Sequence, residues 1–375
     1  CRKHLREING DYDSTMIRDH ASDILAKSLE SSKMVDLINF QAKWRERVGQ
    51  GADFDAAVVR SSQIVAATCM GLAGFKGIEE IEFDLCIIDE ASKATATESM
   101  LPLLRSRRWV LVGDERQLPP FLDPAFLDQS LVEKHGLDVD ELGRSIFSRL
   151  RAGLPGASKR ILTRQHRMVD PVGSLISDCF YNGQIENAGI SPDEWVGTSG
   201  LFQEHAVCWY STELLVDKKE KLFKKDMSYR NNCEVQQVRT LLQRLDMVLA
   251  GQGYEDEVSV LVLAPYSAQV YALDRSLSSV SFDSPGLRLE VNTVDAAQGR
   301  EADVIIFSTT RSNQDHQIGF LKDLARANVA LSRGKFFLAI VGDASFFDRV
   351  ESPFKRVLSF IRSNPDISAV EIIQS

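Results

Sequence analysis

From Ser62 onward the chain alternates short apolar runs with longer stretches whose apolar residues recur at helical spacing. The runs are QIVAAT, FDLCIID, RWVLVGD, RILT, VSVLVLA, LEVNTV, DVIIFSTT and FFLAIVGD. Most are continuously apolar rather than apolar at every second position. Strands of that kind are buried on both faces, as in parallel sheets covered by helices. The pattern therefore predicts an α/β fold of the doubly wound type. Residues 1–60 have a different texture, polar and helix-leaning, with Ile24, Leu25, Leu29, Met34, Leu37 and Ile38 spaced along one helical face. In NNCEVQQVRTLLQRL, Asn231 and Glu234 have capping-box spacing ahead of an apolar periodic face, which predicts a helix start.

A length of 375 residues suits two domains of common size. The Gly- and Pro-containing stretch Arg151–Lys159 separates two α/β halves. The expected organisation is a helical segment over 1–60, a first α/β domain over 61–155 and a second over 156–375. The charged stretch DKKEKLFKK, Asp217–Lys225, reads as a solvated loop, with nucleic-acid contact as the alternative.

No apolar run approaches the roughly 20 residues that span a bilayer, and the first residues form no signal-peptide pattern. An intracellular protein, cytoplasmic or nuclear, is expected. A net charge of −9 argues against a polybasic tail, but a basic groove can sit on an acidic protein. The six cysteines show no C-x-x-C spacing and read as reduced thiols rather than a zinc site.

Ligands of open α/β sheets collect at the carboxyl ends of strands. CIIDEAS ends an apolar strand in Asp89 and Glu90. Such an Asp can hold magnesium on nucleotide phosphates, and the Glu can take a proton from an attacking water. The alternative is a solvated pair of carboxylates. In VGDERQLPP, Gln117 both donates and accepts, so it can position water or sense a γ-phosphate; a simple proline turn is the bland reading. LTRQHRM places Arg164, His166 and Arg167 after a short strand, and Arg suits bidentate phosphate recognition.

Tyr266, in APYSAQ, can stack on a base, or equally can pack at a strand-to-helix turn. VNTVDAAQGREADVII gathers Thr293, Asp295, Gln298 and Glu301 around Gly299, whose lack of a Cβ permits a tight turn. Glu301 can accept from ribose hydroxyls and Thr293 can bind a backbone phosphate; ordinary loop capping is the alternative. Arg333 stands at a helix end before an apolar strand, where it can reach a γ-phosphate as an arginine finger.

In this order the pieces resemble the superfamily 1 helicases, in the branch that includes the nonsense-mediated-decay helicase and senataxin. CIIDEAS resembles motif II, VGDERQLPP motif III and LTRQHRM the Q-x-R-M element of motif IV. VDAAQGREADVII resembles motif V and NVALSRGKFFLAIVGD motif VI. VAATCMGLA, Val65–Ala73, is similar to the Thr-Cys element that touches nucleic acid.

The resemblance implies two RecA-like P-loop NTPase domains with parallel sheets, ATP and Mg2+ in the cleft between them, and a single-stranded DNA or RNA partner. It makes Asp89 the magnesium carboxylate, Glu90 the general base and Gln117 the γ-phosphate coupler. Arg167 and Arg333 reach the γ-phosphate, while Gln298, Gly299 and Glu301 face the nucleotide. Thr68, Tyr266 and Thr293 face the nucleic acid. The implied activity is ATP hydrolysis coupled to 5′-to-3′ movement by a monomer, with protein partners unspecified.

One departure matters. The phosphate-gripping loop G-x-x-x-x-G-K-S/T is not found, and the one Gly-Lys pair, Gly334-Lys335, is followed by Phe336. The expectation is that the first domain is truncated at its amino end and that these residues alone hydrolyse ATP poorly. The alternative is a catalytically inactive nucleic-acid-binding or protein-interaction module derived from a helicase.

Overall fold

The computed structural model describes residues 36–41, 43, 52–75, 77–123, 128–136, 138–191, 205–223 and 227–374. Of the expected amino-terminal helix, Leu37 and Ile38 are helical, whereas Ile24, Leu25, Leu29 and Met34 lie outside the described residues. Internal contacts divide the chain into two compact units, Cys1–Ile87 with Thr97–Val110, and Ile88–Ala96 with Leu111–Ser375.

In the first unit Thr68 caps helix α1 (Cys69–Ala73), its Oγ1 accepting from the Gly71 N–H at 2.9 Å. Strands β1 (Cys86–Ile88) and β2 (Trp109–Leu111) pair with each other, and the boundary between the units crosses both. The QIVAAT run forms no strand; it is an extended lead into α1. Ile87, Trp109 and Val110 are exposed, contrary to the burial expected of such runs. Among the described residues this sheet holds only two strands of three residues each, too small a sheet to make a buried layer.

The second unit is built on a six-stranded sheet. Its strands are β3 (Val207–Ser211), β4 (Val258–Ala264), β5 (Leu287–Thr293), β6 (Ala302–Ser308), β7 (Gly334–Gly342) and β8 (Ser368–Ile372). The spatial order is β8-β3-β7-β6-β4-β5, and every pairing is parallel. This is the α/β class expected. The runs VSVLVLA, LEVNTV, DVIIFSTT and FFLAIVGD all became strands. RILT did not: 160–163 forms no strand, although the Thr163 carbonyl accepts from the Glu186 N–H at 2.6 Å, and only Arg164–Gln165 pairs as a two-residue strand with Glu186–Asn187. The expected list lacked β3 and β8, although VCWYS in β3 is buried throughout.

Helices α2 (Asp170–Tyr181), α5 (Leu324–Leu331) and α6 (Pro353–Ser363) pack together over the sheet. A second group, α3 (Asn232–Gln252) and α4 (Ser267–Leu277), does the same. Two layers of helices explain why central strand residues such as Val304, Ile305, Leu338 and Ala339 are no more than 1% exposed. Trp209 anchors the core. Its ring meets Phe347 and Phe354 edge-on, and its Nε1 donates to the Gly342 carbonyl at 2.9 Å, so the indole's one polar atom is satisfied where water cannot reach.

Two local expectations change. Asn231 does cap α3, accepting from the Glu234 N–H at 3.3 Å. Glu234, however, does not reach back to the Asn231 N–H, which donates to Gln269 instead. The charged stretch from Asp217 is not merely solvated. Lys218 pairs with buried Asp343 at 3.1 Å, and Glu220 pairs with buried Arg311 at 3.4 Å while accepting from the Ser312 N–H. Both are drawn inward because a buried charge needs a partner; residues 224–226 lie outside the described residues.

Candidate nucleotide site

Glu90 follows β1 with φ +53°, a left-handed conformation uncommon outside Gly, Asn and Asp. The Asp89 Oδ1 accepts from the Glu90 N–H at 2.9 Å and so holds that turn. Both side chains are exposed. Strained backbone on a residue presenting a free carboxylate marks a working position more often than a structural one.

The turn after β2 is stitched to this point by backbone. The Ala91 N–H donates to the Val112 carbonyl at 2.7 Å, and the Val112 N–H to the Ile88 carbonyl at 2.9 Å. The Ser92 Oγ accepts from the Asp114 N–H at 3.0 Å. Gly113 is required by this approach, since a Cβ there would sit 2.8 Å from the Ser92 nitrogen. Gln117 is then fixed at both ends. Its Nε2 donates to Asp114 Oδ2 at 3.2 Å, and its Oε1 accepts from Arg333 Nη2 at 3.5 Å.

Arg333 is 2% exposed. Its Nε donates to the Val329 carbonyl at 3.0 Å and its Nη2 to Ser332 Oγ at 3.1 Å. Burial, and then repulsion from Arg167, lower its pKa; the Glu90 carboxylate opposes them. A guanidinium stays charged under such pressure, so a desolvated cation faces Glu90.

Arg167 is oriented by Gln165, whose Oε1 accepts from the N–H groups of Arg167 and Met168 at 2.9 and 2.8 Å. Gln165 belongs to LTRQHRM, and a polar side chain beside two candidate cations is the sequence signal for this orienting role. Arg167 Nε donates to Glu301 at 3.0 Å and Nη1 to the Ser332 carbonyl at 3.3 Å. Lys335 lies 3.4 Å from Glu301 and 3.7 Å from Asp303. Burial pulls the Glu301 pKa up, but Lys335 and then Arg167 outweigh it, and the carboxyl sits below its ordinary range. Gly299 turns the preceding loop at φ +81°. Neither amide atom of Gln298 finds a partner among the described residues, although both are shielded from solvent.

Gln117, Arg167, Arg333 and Glu301 are thus brought together, with Glu90 electrostatically coupled to Arg333. Glu90 and Gln117 keep the carboxyl-end rule, following β1 and β2, whereas Glu301 and Arg333 do not. Glu301 and Arg333 immediately precede β6 and β7, so they stand at the amino edge of the sheet. Tyr266 and Thr293 stand at the carboxyl edge, roughly 20 Å away for strands of about seven residues. Thr293 Oγ1 accepts from the Ala296 N–H at 3.3 Å. Tyr266 is 4% exposed, its ring against Tyr229 and Phe320. That is the packing alternative, not a platform open to a base. Thr68 belongs to the other unit.

Two family models, each described as an AAA domain, match residues 142–345 and 13–123. An uncharacterized ATP-dependent helicase of Methanocaldococcus jannaschii is 28% identical over 329 residues, 84% of this chain and 44% of that protein. The DNA-binding protein SMUBP-2 of Mesocricetus auratus is 30% identical over 308 residues, 77% of this chain and 28% of that protein. The chain spans less than half the length of these curated relatives. The solved structure of the PRRSV helicase aligns with 68% of this chain and 34% of its own, at 15% identity and a TM-score of 0.32.

Proposed function

This chain belongs to the AAA-domain family and to the superfamily 1 helicases, in the branch of the nonsense-mediated-decay helicase and senataxin, and from that premise we propose that it is the motor portion of an ATP-dependent helicase or translocase moving 5′ to 3′ on single-stranded DNA or RNA. The observation that carries this reading is the meeting of Gln117, Arg167, Arg333 and Glu301 at one edge of the sheet. Four residues from four separate sequence motifs converge where a triphosphate needs charge and hydrogen bonds.

In this reading the domains are 61–155 and 156–375, preceded by the segment 1–60. Glu90 takes the proton of the attacking water. Arg333 and Arg167 balance charge on the transferring phosphoryl oxygens. Gln117 reports that charge to its surroundings, and Glu301 with Gln298 and Gly299 receives the nucleotide. Asp89 fits a magnesium ion: one oxygen is held by the Glu90 N–H, and the other faces solvent as a hard ligand. Magnesium accepts one carboxylate when phosphates and waters complete its shell. Thr68 and Thr293 contact the nucleic-acid backbone. The protein acts as a monomer in the cytoplasm or nucleus; no helix among the described residues is long and apolar enough to cross a membrane.

The lack of a G-x-x-x-x-G-K-S/T loop in these residues favours a second reading, a module that binds nucleic acid without hydrolysis. One experiment separates the two. ATP turnover is measured for the 375 residues alone and for a longer natural form of the protein, with and without single-stranded DNA or RNA. The motor reading expects poor turnover by the 375 residues and nucleic-acid-stimulated turnover by the longer form, abolished by Glu90→Gln. A longer form with bound nucleic acid and no turnover establishes the binding module instead.

A further inference from the structure

Asp114, Tyr181 and Asn328 play no part in the chemistry proposed above, yet they form the most tightly bonded polar group beside Gln117. Tyr181 ends α2, and its hydroxyl donates to Asp114 Oδ2 at 2.5 Å. The same hydroxyl accepts from Asn328 Nδ2 at 2.8 Å. Asn328 lies in α5, is fully buried, and also donates to the Arg116 carbonyl at 2.9 Å. Asp114 Oδ1 accepts from the Arg116 N–H at 2.9 Å, while its Oδ2 also receives Gln117 Nε2. Arg116 closes the ring of contacts, lying 5.6 Å from the Tyr181 ring and donating to the Phe180 carbonyl. A chain of hydrogen bonds therefore runs from α2 and α5 through Asp114 to Gln117, and on to Arg333.

Packing alone does not call for this chemistry. A phenylalanine would fill the volume of Tyr181, and drawing the half-buried Asp114 and Tyr181 and the buried Asn328 from water costs stability; the Asn328 Oδ1 finds no partner among the described residues. What the hydroxyl adds is direction. It fixes the Asp114 carboxylate, which decides which way the Gln117 amide points. Helix α5 also touches both edges of the sheet. Near its start Arg326 pairs with Asp295 at 3.5 Å, two residues beyond Thr293; just past its end stands Arg333.

We propose that Tyr181 and Asn328 are positioning residues that aim Gln117, through Asp114, at the γ-phosphate, and that they pass movement of α5 at the nucleic-acid edge to the hydrolytic edge. This rests on the motor reading. Neither residue touches substrate, so their loss should change turnover rather than nucleotide binding.

The test uses the longer natural form, with Tyr181→Phe, Gln117→Ala and the two combined, assayed for ATP turnover with and without a single-stranded oligonucleotide. Tyr181→Phe should lower stimulated kcat about 10-fold with KM for ATP nearly unchanged, as the loss of a supporting partner does. In the Gln117→Ala background it should cost nothing further, because the residue acts only through Gln117. Asn328→Leu reads the same link from α5 and should show the same non-additivity. Unchanged kcat, or losses that multiply in the double variants, overturn the proposal. So does a fall in kcat that only mirrors a lower melting temperature in both positioning variants. If the unsubstituted protein hydrolyses no ATP, or Glu90→Gln leaves turnover intact, the motor reading itself has failed and the proposal goes with it.

Discussion

Arg167 and Glu301 hold each other at 3.0 Å, so the cation proposed for a phosphate and the carboxylate proposed for a ribose are partners in one ion pair. Both side chains are more than a third exposed, and such a pair contributes no more than about 1 kcal/mol. A nucleotide can part them at little cost, and Lys335 at 3.4 Å remains to neutralise Glu301. Arg167 meanwhile keeps a second anchor on the Ser332 carbonyl through Nη1. Only a guanidinium can span two such acceptors and still present a nitrogen to phosphate. Arg167→Lys is expected to lower nucleic-acid-stimulated ATP turnover by about 100-fold or more. Steady-state kinetics of the longer natural form check this, and a loss below threefold would remove Arg167 from the site.

Gly113 carries the turn that delivers Gln117. An added methyl would meet the Ser92 nitrogen at 2.8 Å and its Oγ at 3.1 Å, and backbone cannot swing aside as a long side chain can. Gly113→Ala should cost about 1–3 kcal/mol by overpacking and should displace Gln117 from Arg333. A shifted urea midpoint together with reduced turnover is the expected result. Unaltered stability and turnover would show that the turn tolerates the methyl.

The strands of the second unit were legible because continuous apolar runs leave few alternatives to a buried parallel sheet. β3 was legible in principle from VCWYS, a buried five-residue run. QIVAAT and RILT resembled strands just as well, yet neighbours to pair with are a tertiary fact that local pattern does not contain. The site was legible as residue types in order, since Gln117, Arg167, Glu301 and Arg333 each carry distinctive chemistry. Their edge was not. The carboxyl-end rule describes ligands lying over one sheet, and Glu301 and Arg333 enter from the amino ends of β6 and β7. Asp114, Tyr181 and Asn328 carry no sequence signal of their own, because nothing in their spacing shows that α2 and α5 converge on one loop.

Tyr266 illustrates a role that exposure decides. Its ring lies between Tyr229 and Phe320, with ring centroids 5.2 and 5.3 Å away. Its hydroxyl accepts from the Phe320 N–H at 3.4 Å. Tyr266→Leu, which removes the aromatic face, should leave the affinity of the folded protein for single-stranded nucleic acid within about twofold, whereas losing a stacked base contact would cost about 1–3 kcal/mol. Tyr266→Ala should destabilise the fold by about 3–5 kcal/mol through the cavity it leaves. Fluorescence anisotropy with a labelled oligonucleotide, paired with urea unfolding, distinguishes the two; a large affinity loss in folded Tyr266→Leu would restore the stacking role.

Glu234 is fully buried beneath the carboxyl end of β6. Its carboxyl accepts from Ser308 Oγ at 2.6 Å, the Thr310 N–H at 2.7 Å, Thr309 Oγ1 at 3.2 Å and Asn231 Nδ2 at 3.2 Å. Thr310, held by one of these bonds, has φ +69°, a strained value for a β-branched residue. Burial raises the Glu234 pKa to about 8; the hydrogen bonds pull the other way, and the nearby Glu220 carboxylate adds to the rise. The sign follows from proton counts. Above the unfolded pKa of about 4.3 the unfolded chain releases this proton while the native protein keeps it, so native binds more protons than unfolded. The contribution to stability is full below about pH 4.3, is lost as pH rises toward 8, and is flat beyond. Glu234→Gln removes the titration, so the fall in urea midpoint between pH 6 and pH 8 should shrink in the variant, by up to a few kcal/mol in free energy. The slope is the readout, because the amide adds a donor facing Asn231 and can lower stability at every pH. Equal slopes in the two proteins would mean that Glu234 is already ionised in the folded state at neutral pH.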